Sequence, residues 1–270
     1  MYRLAAIDLD GTLLTPDKKV STRSVEALRA WQEHGFKVVL ATARPFYRIG
    51  KFLRALDLAN DHNYAIAFNG GIVMRADGLE RIHSHSFSAG GIADAVTYGD
   101  SIGAPIFVYV EDKIISNRDD PLYRQKNPDV KFEVAENLNA VAWEGLPVYK
   151  IAYVGTPDVV REMRRALPAG FEQEFEVSSS VPQFVDLVPL GTSKAKALEM
   201  IGARVGVSAD EMVAFGDEDN DAPLLDYAGL AVAMGNASDA IKEMADITCA
   251  SNADDGVARF LEVLLNARAA

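Results

Sequence analysis

The chain has 270 residues, 49% hydrophobic and 24% charged, with 27 lysines and arginines against 39 acidic residues and a formal charge of -12. That balance excludes the basic footprint which nucleic acid or an anionic membrane requires, while a small phosphorylated ligand can still be held by a local cation. Low-complexity tracts, repeats and any apolar run near the roughly 18 residues that span a bilayer are absent.

The single cysteine, Cys249, rules out an intramolecular disulfide and a cysteine-rich zinc site, and is expected to be a small buried side chain. His83 and His85 can share a strand face, but two ligands do not make a zinc site, and a surface hairpin is expected there. The opening Met1-Tyr2-Arg3-Leu4-Ala5 enters a strand-like run without the apolar stretch and cleavage site of a signal peptide, so the protein is expected to be cytoplasmic.

In chain order, Leu4–Leu9 reads as a short apolar strand. Ser21 or Thr22 caps a helix with Val25, Leu28 and Trp31 on one face and Gly35 after its end. Phe36–Ala41 is a second buried strand, followed by Thr42-Ala43-Arg44-Pro45 and a helix through Leu56. Tyr64–Phe68 is a third, ending at Asn69-Gly70-Gly71. The middle of the chain changes texture. Its strand candidates, Pro105–Ile115, Val148–Val154, Phe171–Val177 and Gln183–Val188, are longer and more alternating. A helix over Ala89–Ser101 and another capped by Thr156, with Pro157 first and Gly170 after its end, lie among them. The last third returns to the first style. Ser193 opens a helix, and the strands Met212–Phe215, Leu230–Met234 and Ile247–Ala250 precede a C-terminal helix bearing Val257, Phe260, Leu261 and Leu264.

Apolar strands alternating with amphipathic helices predict a doubly wound, mainly parallel α/β sheet. The different middle predicts an inserted α+β domain over residues 83–189, leaving the sheet after its third strand, with the core formed by 1–82 and 190–270.

Ligands of such sheets bind beyond the carboxyl ends of the strands. Asp8, Asp10, Thr42, Asn69, Asp217 and Asp221 all stand there, so carboxylates and polar groups from distant segments converge on one edge. Asp8 and Asp10, two apart in an extended chain, can face one site, although Asp10-Gly11 taken alone reads first as a turn. Gly216-Asp217-Glu218-Asp219-Asn220-Asp221 repels itself unless a cation such as magnesium neutralises it; the alternative is a solvated loop with Asp221 capping the next helix. The glycine and terminal glutamate of a calcium-binding EF-hand loop are missing. Lys194 and Arg44 sit at helix starts, where the macrodipole disfavours cations, so each is either tolerated there or answered by an anion.

Together these segments resemble the haloacid dehalogenase superfamily, whose motifs occur here in order: Asp8 to Thr12, Thr42, Lys194, and Gly216 to Asp221. The position of the insertion is similar to that of the Cof-like hydrolases with a large α+β cap. So are Val185-Asp186-Leu187-Val188-Pro189 before Lys194, Asn69-Gly70, and the segments from Ala233 to Ala237 and Asp255 to Ala258. Ala43 and Ala195 stand where glycine is frequent, and Glu218 where a small residue is frequent; no reacting group is lost.

The resemblance implies a magnesium-dependent phosphatase acting on a small phosphorylated metabolite, sugar phosphates above all. Asp8 would attack phosphorus to form an aspartyl-phosphate, with no base required because a carboxylate is already ionised at neutral pH. Asp10 would protonate the leaving alcohol and then take a proton from water, with a pKa raised by crowding beside Asp8. Magnesium would be held by Asp8, the Asp10 backbone carbonyl and Asp217, with Asp221 either a further ligand or a support behind one. Thr42 would bond the phosphate, Lys194 would neutralise charge, and Gly11, Arg44, Asn69 and Asn220 would be neighbours of the substrate. The cap would close over the leaving group and exclude water. A phosphomutase of the same superfamily, a phosphoacceptor signalling domain and a non-catalytic binding protein are the alternatives.

Overall fold

The computed structural model describes residues 1–128 and 130–269. Its chain forms two compact units, Met1–Ser84 with Ser193–Ala270, and His85–Thr192. The first unit begins with β1 (Leu4–Ile7), α1 (Thr22–Glu33), β2 (Lys37–Ala41), α2 (Gly50–Ala55), β3 (Tyr64–Ala67), β4 (Ile72–Arg75) and β5 (Arg81–Ser84). The second carries α3 (Ala89–Ser101), β6 (Ile106–Val110), β7 (Ile114–Ser116), α4 (Pro121–Lys126), β8 (Glu133–Val134), β9 (Val148–Val154), α5 (Pro157–Arg165), β10 (Phe175–Ser178) and β11 (Phe184–Pro189). The first unit is completed by α6 (Lys194–Val205), β12 (Met212–Gly216), α7 (Ala222–Tyr227), β13 (Leu230–Ala233), α8 (Asp239–Met244), β14 (Ile247–Thr248) and α9 (Gly256–Ala269).

The sheet of the first unit runs β14-β13-β12-β1-β2-β3-β4-β5. It is parallel from β14 to β3, and β3, β4 and β5 pair antiparallel. Every residue of β1 and β12 is buried, as strands covered on both faces require, which is why they read as unbroken apolar runs. Ser21 and Ser193 cap α1 and α6 by accepting the Ser24 and Lys196 N–H groups at 3.0 and 3.1 Å. Helices α1 and α9 are joined at their surface by the Arg23 guanidinium, which donates to both Glu262 oxygens at 2.9 and 2.5 Å.

The second unit is a six-stranded sheet, β10-β11-β9-β6-β7-β8. Ile106, Val108 and Val110 of β6 share a core with Ile92 and Val96 of α3 and Val160 of α5. Strand alternation turns Phe107 to the other face, where its ring stacks on Tyr123 of α4 with centroids 3.6 Å apart.

The structure departs from the sequence expectations in a few places. The sheet gains a hairpin, β4–β5, before the chain leaves it, where departure was expected straight after the third strand. His83 lies on that hairpin's outer strand, opposite Val73, and His85 follows it. The expected strand Pro105–Ile115 is split into β6 and β7 by a tight turn, Val110 N–H donating to Lys113 C=O at 3.0 Å. Phe171–Gln173 is a single 3-10 turn started by Gly170 in the left-handed region, φ 91°, so that glycine opens a turn and does not close α5. Among the described residues no helix is long and apolar enough to cross a membrane.

Candidate active site

The site begins where β1 stops. The Asp8 N–H continues the parallel pairing by donating to Phe215 C=O at 3.1 Å. The chain then turns sharply, with Leu13 and Leu14 donating back to Asp8 and Leu9 carbonyls at 3.2 and 2.9 Å. Gly11 is at φ +90°, and a Cβ there would lie 2.1 Å from Asp217 Oδ2, so glycine is what admits Asp217 to the turn. Thr12 Oγ1 donates to Asp217 Oδ1 at 2.6 Å, which ties the first acidic segment to the last.

Lys194, at the first residue of α6 and 1% exposed, crosses to the same place. Its Nζ lies 2.6 Å from Asp8 Oδ1 and 2.5 Å from Asp221 Oδ1. The anion that answers this helix-start lysine is thus the protein's own pair of carboxylates. Asp221 Oδ2 accepts the Asp217 and Glu218 N–H groups at 3.0 and 3.2 Å. Its side chain therefore organises its own loop and makes no side-chain cap bond to α7. Gly216 leaves room for it, since a Cβ there would lie 2.4 Å from Asp221 Cβ.

Ligand oxygens of Asp8, Asp217 and Asp221 lie within 4.8 Å of one another, and all three residues are buried. Burial raises the Asp8 pKa well above the ordinary carboxylate value; Lys194 opposes this, and Asp221 and Asp217 reinforce it. Burial and the Asp221 charge push Asp217 up to about 7, against the Thr12 hydrogen bond. For Lys194 burial disfavours the charge, but Asp221 and Asp8 outweigh it and its pKa rises. One ammonium cannot neutralise three carboxylates, so a hard divalent cation fits this donor set, and its charge would offset the burial and repulsion that raise the aspartate pKa values. Glu218 is half-buried and Asp219 exposed, leaving Asp217 and Asp221 as the inward pair of that loop.

Asp10 is held differently. Arg44 Nε donates to Asp10 Oδ2 at 2.5 Å and Arg44 Nη2 to Oδ1 at 2.6 Å, while Lys18 Nζ donates to Oδ1 at 2.6 Å. Burial works against ionisation here, but the hydrogen bonds and charge of Arg44, then Lys18, overcome it and hold the carboxyl well below the usual range. The raised pKa expected from crowding beside Asp8 is therefore reversed, because two cations surround this carboxylate. The expectation for Asp10 as a metal ligand rested on its backbone carbonyl, and its carboxylate stands outside the acidic trio.

Thr42 follows β2, is 1% exposed, and accepts the Arg44 N–H on Oγ1 at 3.2 Å. Asn69 follows β3 at φ 57°, with its N–H donating to Thr42 C=O at 3.0 Å. Its Oδ1 accepts from Asn220 Nδ2 at 3.0 Å, whereas its Nδ2, in a residue 4% exposed, has no hydrogen-bond partner among the described residues. A buried donor left over beside such a site is suited to a phosphoryl oxygen. All the site residues expected from the sequence lie in the first unit.

Three contributors were not singled out by sequence reasoning. Lys18 sits in a turn with no motif around it. Asn236 donates from Nδ2 to Gly11 C=O at 2.8 Å and accepts the Asn252 N–H on Oδ1 at 2.9 Å, and Asn252 Nδ2 donates to Leu14 C=O at 2.7 Å. Asn236 and Asn252 are signalled by position after β13 and β14, the same rule that found Asp8, and Asn236 also lies in the Ala233 to Ala237 segment of the resemblance. Cys249 is half-buried where a buried side chain was expected. Burial pushes its thiol up to about 11, which leaves it unreactive.

The family model for haloacid dehalogenase-like hydrolases matches residues 5–261. The chain is 30% identical to pyridoxal phosphate phosphatase YbhA of Escherichia coli, over 96% of this chain and 97% of that one. It is 28% identical to 5-amino-6-(5-phospho-D-ribitylamino)uracil phosphatase YitU of Bacillus subtilis, over 96% of each. Among solved structures it is similar to a haloacid dehalogenase-like hydrolase from Bacteroides thetaiotaomicron, with a TM-score of 0.84 and 28% identity over 98% of this chain and 100% of that one.

Proposed function

The chain belongs to the haloacid dehalogenase-like hydrolases, and from that membership we propose that it is a magnesium-dependent phosphatase of small phosphate monoesters that carries the phosphoryl group on Asp8. The observation that carries this reading is the Lys194 ammonium bridging Asp8 and Asp221 inside a buried trio of carboxylates. An ammonium so placed opposes the burial that raises the Asp8 pKa, a cation bound at the trio would add to it, and an ionised carboxylate is a nucleophile that needs no base.

Asp8, the Asp10 carbonyl, Asp217 and Asp221 would hold magnesium, which supplies charge neutralisation for the transferring phosphoryl group when bound. In the first half an Asp8 oxygen bonds phosphorus, the bond from phosphorus to the ester oxygen breaks, and the departing alkoxide takes a proton from Asp10. In the second half a water oxygen bonds phosphorus, its proton goes to Asp10, and the bond to Asp8 breaks with its electron pair returning to the carboxylate. The Asn69 Nδ2 and Thr42 hydroxyl are donors for the phosphoryl oxygens, where charge accumulates during transfer. Asp10 rests ionised, the form required by the second half, so an alkyl ester reacts in the first half through the fraction of Asp10 that has taken up a proton from water. Esters with acidic leaving groups need no proton from it in the first.

The phosphatases YbhA and YitU, named for pyridoxal phosphate and a phosphoribityl-aminouracil, support a small phosphorylated metabolite as substrate. The test is inorganic phosphate release from a panel of both compound types and sugar phosphates, with magnesium or with a chelator, in wild type and Asp8→Asn. Magnesium-dependent release that Asp8→Asn abolishes is expected. Release indifferent to Asp8→Asn contradicts the reading, and phosphoryl transfer to a second hydroxyl without release turns it into a mutase.

A further inference from the structure

We propose that Arg44, assisted by Lys18, is a positioning residue that fixes the Asp10 carboxylate for the water-attack half of the reaction, and is not a ligand of the ester phosphate. The inference rests on the reading of Asp10 as proton acceptor given above. Arg44 presents its Nε–Nη2 edge to both Asp10 oxygens, the two-point geometry that fixes a carboxylate in orientation as well as in place. One of the two edges with which the guanidinium can fork a phosphate is thereby already committed.

Arg44 is itself held. Its N–H donates to Thr42 Oγ1 at 3.2 Å, its C=O accepts the Phe68 N–H at 3.0 Å, and its guanidinium lies over the Phe52 ring at 5.0 Å. With its side chain 13% exposed, it has little freedom to swing to another anion.

Lys18 closes the arrangement from the other side. It adopts a left-handed backbone, φ 61°, in a turn where its N–H donates to Thr15 C=O at 2.8 Å. The next lysine pairs with Asp17, while Lys18 Nζ reaches Asp10 Oδ1 at 2.6 Å. An aspartate with both oxygens occupied by cations from two separate loops cannot drift between rotamers. Removing the arginine would leave it held by one exposed lysine.

The two roles for Arg44 predict opposite kinetics. If it holds the base of the second half, its loss slows hydrolysis of the phosphorylated protein. Then kcat and KM fall together, kcat/KM is kept, and phosphoprotein accumulates. If it binds phosphate, KM rises, kcat/KM falls and no phosphoprotein accumulates. The experiment uses p-nitrophenyl phosphate, whose acidic phenol leaves without a proton from Asp10, with acid-quenched intact-mass detection of phosphoprotein and steady-state rates. Asp10→Asn, Arg44→Met and Lys18→Met are compared with wild type.

Asp10→Asn is expected to lower kcat by roughly 10²-fold or more, the scale of one general base. Arg44→Met is expected to lose roughly 10-fold and Lys18→Met about 3-fold, each with a KM that falls in proportion and with phosphoprotein at steady state. The double variant Asp10→Asn/Arg44→Met is expected to be no slower than Asp10→Asn, since Arg44 acts through Asp10. A raised KM without phosphoprotein in Arg44→Met overturns the proposal and restores a phosphate ligand. Should Arg44→Met fail to fold, the exposed Lys18→Met decides by the same signs. Absence of phosphate release from wild type, or release unchanged by Asp8→Asn, would instead strike the proposed function.

Discussion

Gly11 is where one methyl group would do most damage at the residue scale. A Cβ would collide with the Asp217 carboxylate, and the φ of +90° is one that side-chain-bearing residues rarely adopt. Gly11→Ala is expected to cost more than the roughly 1–2 kcal/mol of left-handed strain, because Asp217 must also move from Thr12. Phosphate release should fall at least tenfold and apparent magnesium affinity should weaken with it; equal magnesium affinity would show that Asp217 tolerates the shift. Asp217 also gives a pH dependence. Its folded pKa, about 7, exceeds its ordinary value of 3.8, so between the two the folded protein holds a proton that the unfolded chain has released. This site's contribution to stability therefore falls as pH rises through that window. Bound magnesium needs the ionised form, so the rise in melting temperature on adding it should be larger near about pH 8 than near about pH 5.5. An equal rise at both would contradict the placement of the cation at this trio. Asp8, Lys194 and Asp221 were legible in the sequence because their chemistry follows apolar strands or opens a helix. The state of Asp10 was not, since its main partner Arg44 reads from the sequence as a neighbour of the substrate and its second, Lys18, is set by a turn that no spacing rule marks.

At the scale of elements, the polar edge of the sheet is a set of loops laced by asparagines. Asn236, after β13, and Asn252, after β14, reach back to the carbonyls of the turn that follows β1. Asn252→Ala removes the buried bond to Leu14 C=O, a loss of about 1 kcal/mol. A lower melting temperature together with reduced kcat is expected; an unchanged kcat would mean that the turn holds Asp8 without this bond. The strands β1, β2, β3, β12 and β13 were legible because a buried parallel strand is an apolar run ended abruptly by polar residues. The divisions of the alternating strands were not. Whether Pro105–Ile115 runs straight or folds at Glu111-Asp112 depends on pairing with β9, a long-range partner that local pattern does not contain. The β4–β5 hairpin had its signal in Asp77-Gly78, but its addition to the parallel sheet is again a matter of pairing.

At the scale of the whole chain, two compact units each enclose a core. The ends of the second come together, Thr192 Oγ1 lying 3.1 Å from His85 Nδ1, so its chain can be cut out without leaving distant termini. Residues 85–192 expressed alone are expected to melt in one cooperative transition with near-native circular dichroism; a non-cooperative melt would show that this core depends on the rest of the chain. The groups proposed to react, by contrast, are drawn from both ends of the sequence into the first unit, and what unites them in the proposed reaction is a phosphoryl group on Asp8. The most direct test is acid quenching during turnover followed by peptide mass mapping. The account predicts phosphate on the peptide containing Asp8, decaying as substrate is exhausted and missing in Asp8→Asn. Phosphate on a different residue, or turnover in which Asp10→Asn accumulates no phosphoprotein at all, would contradict it.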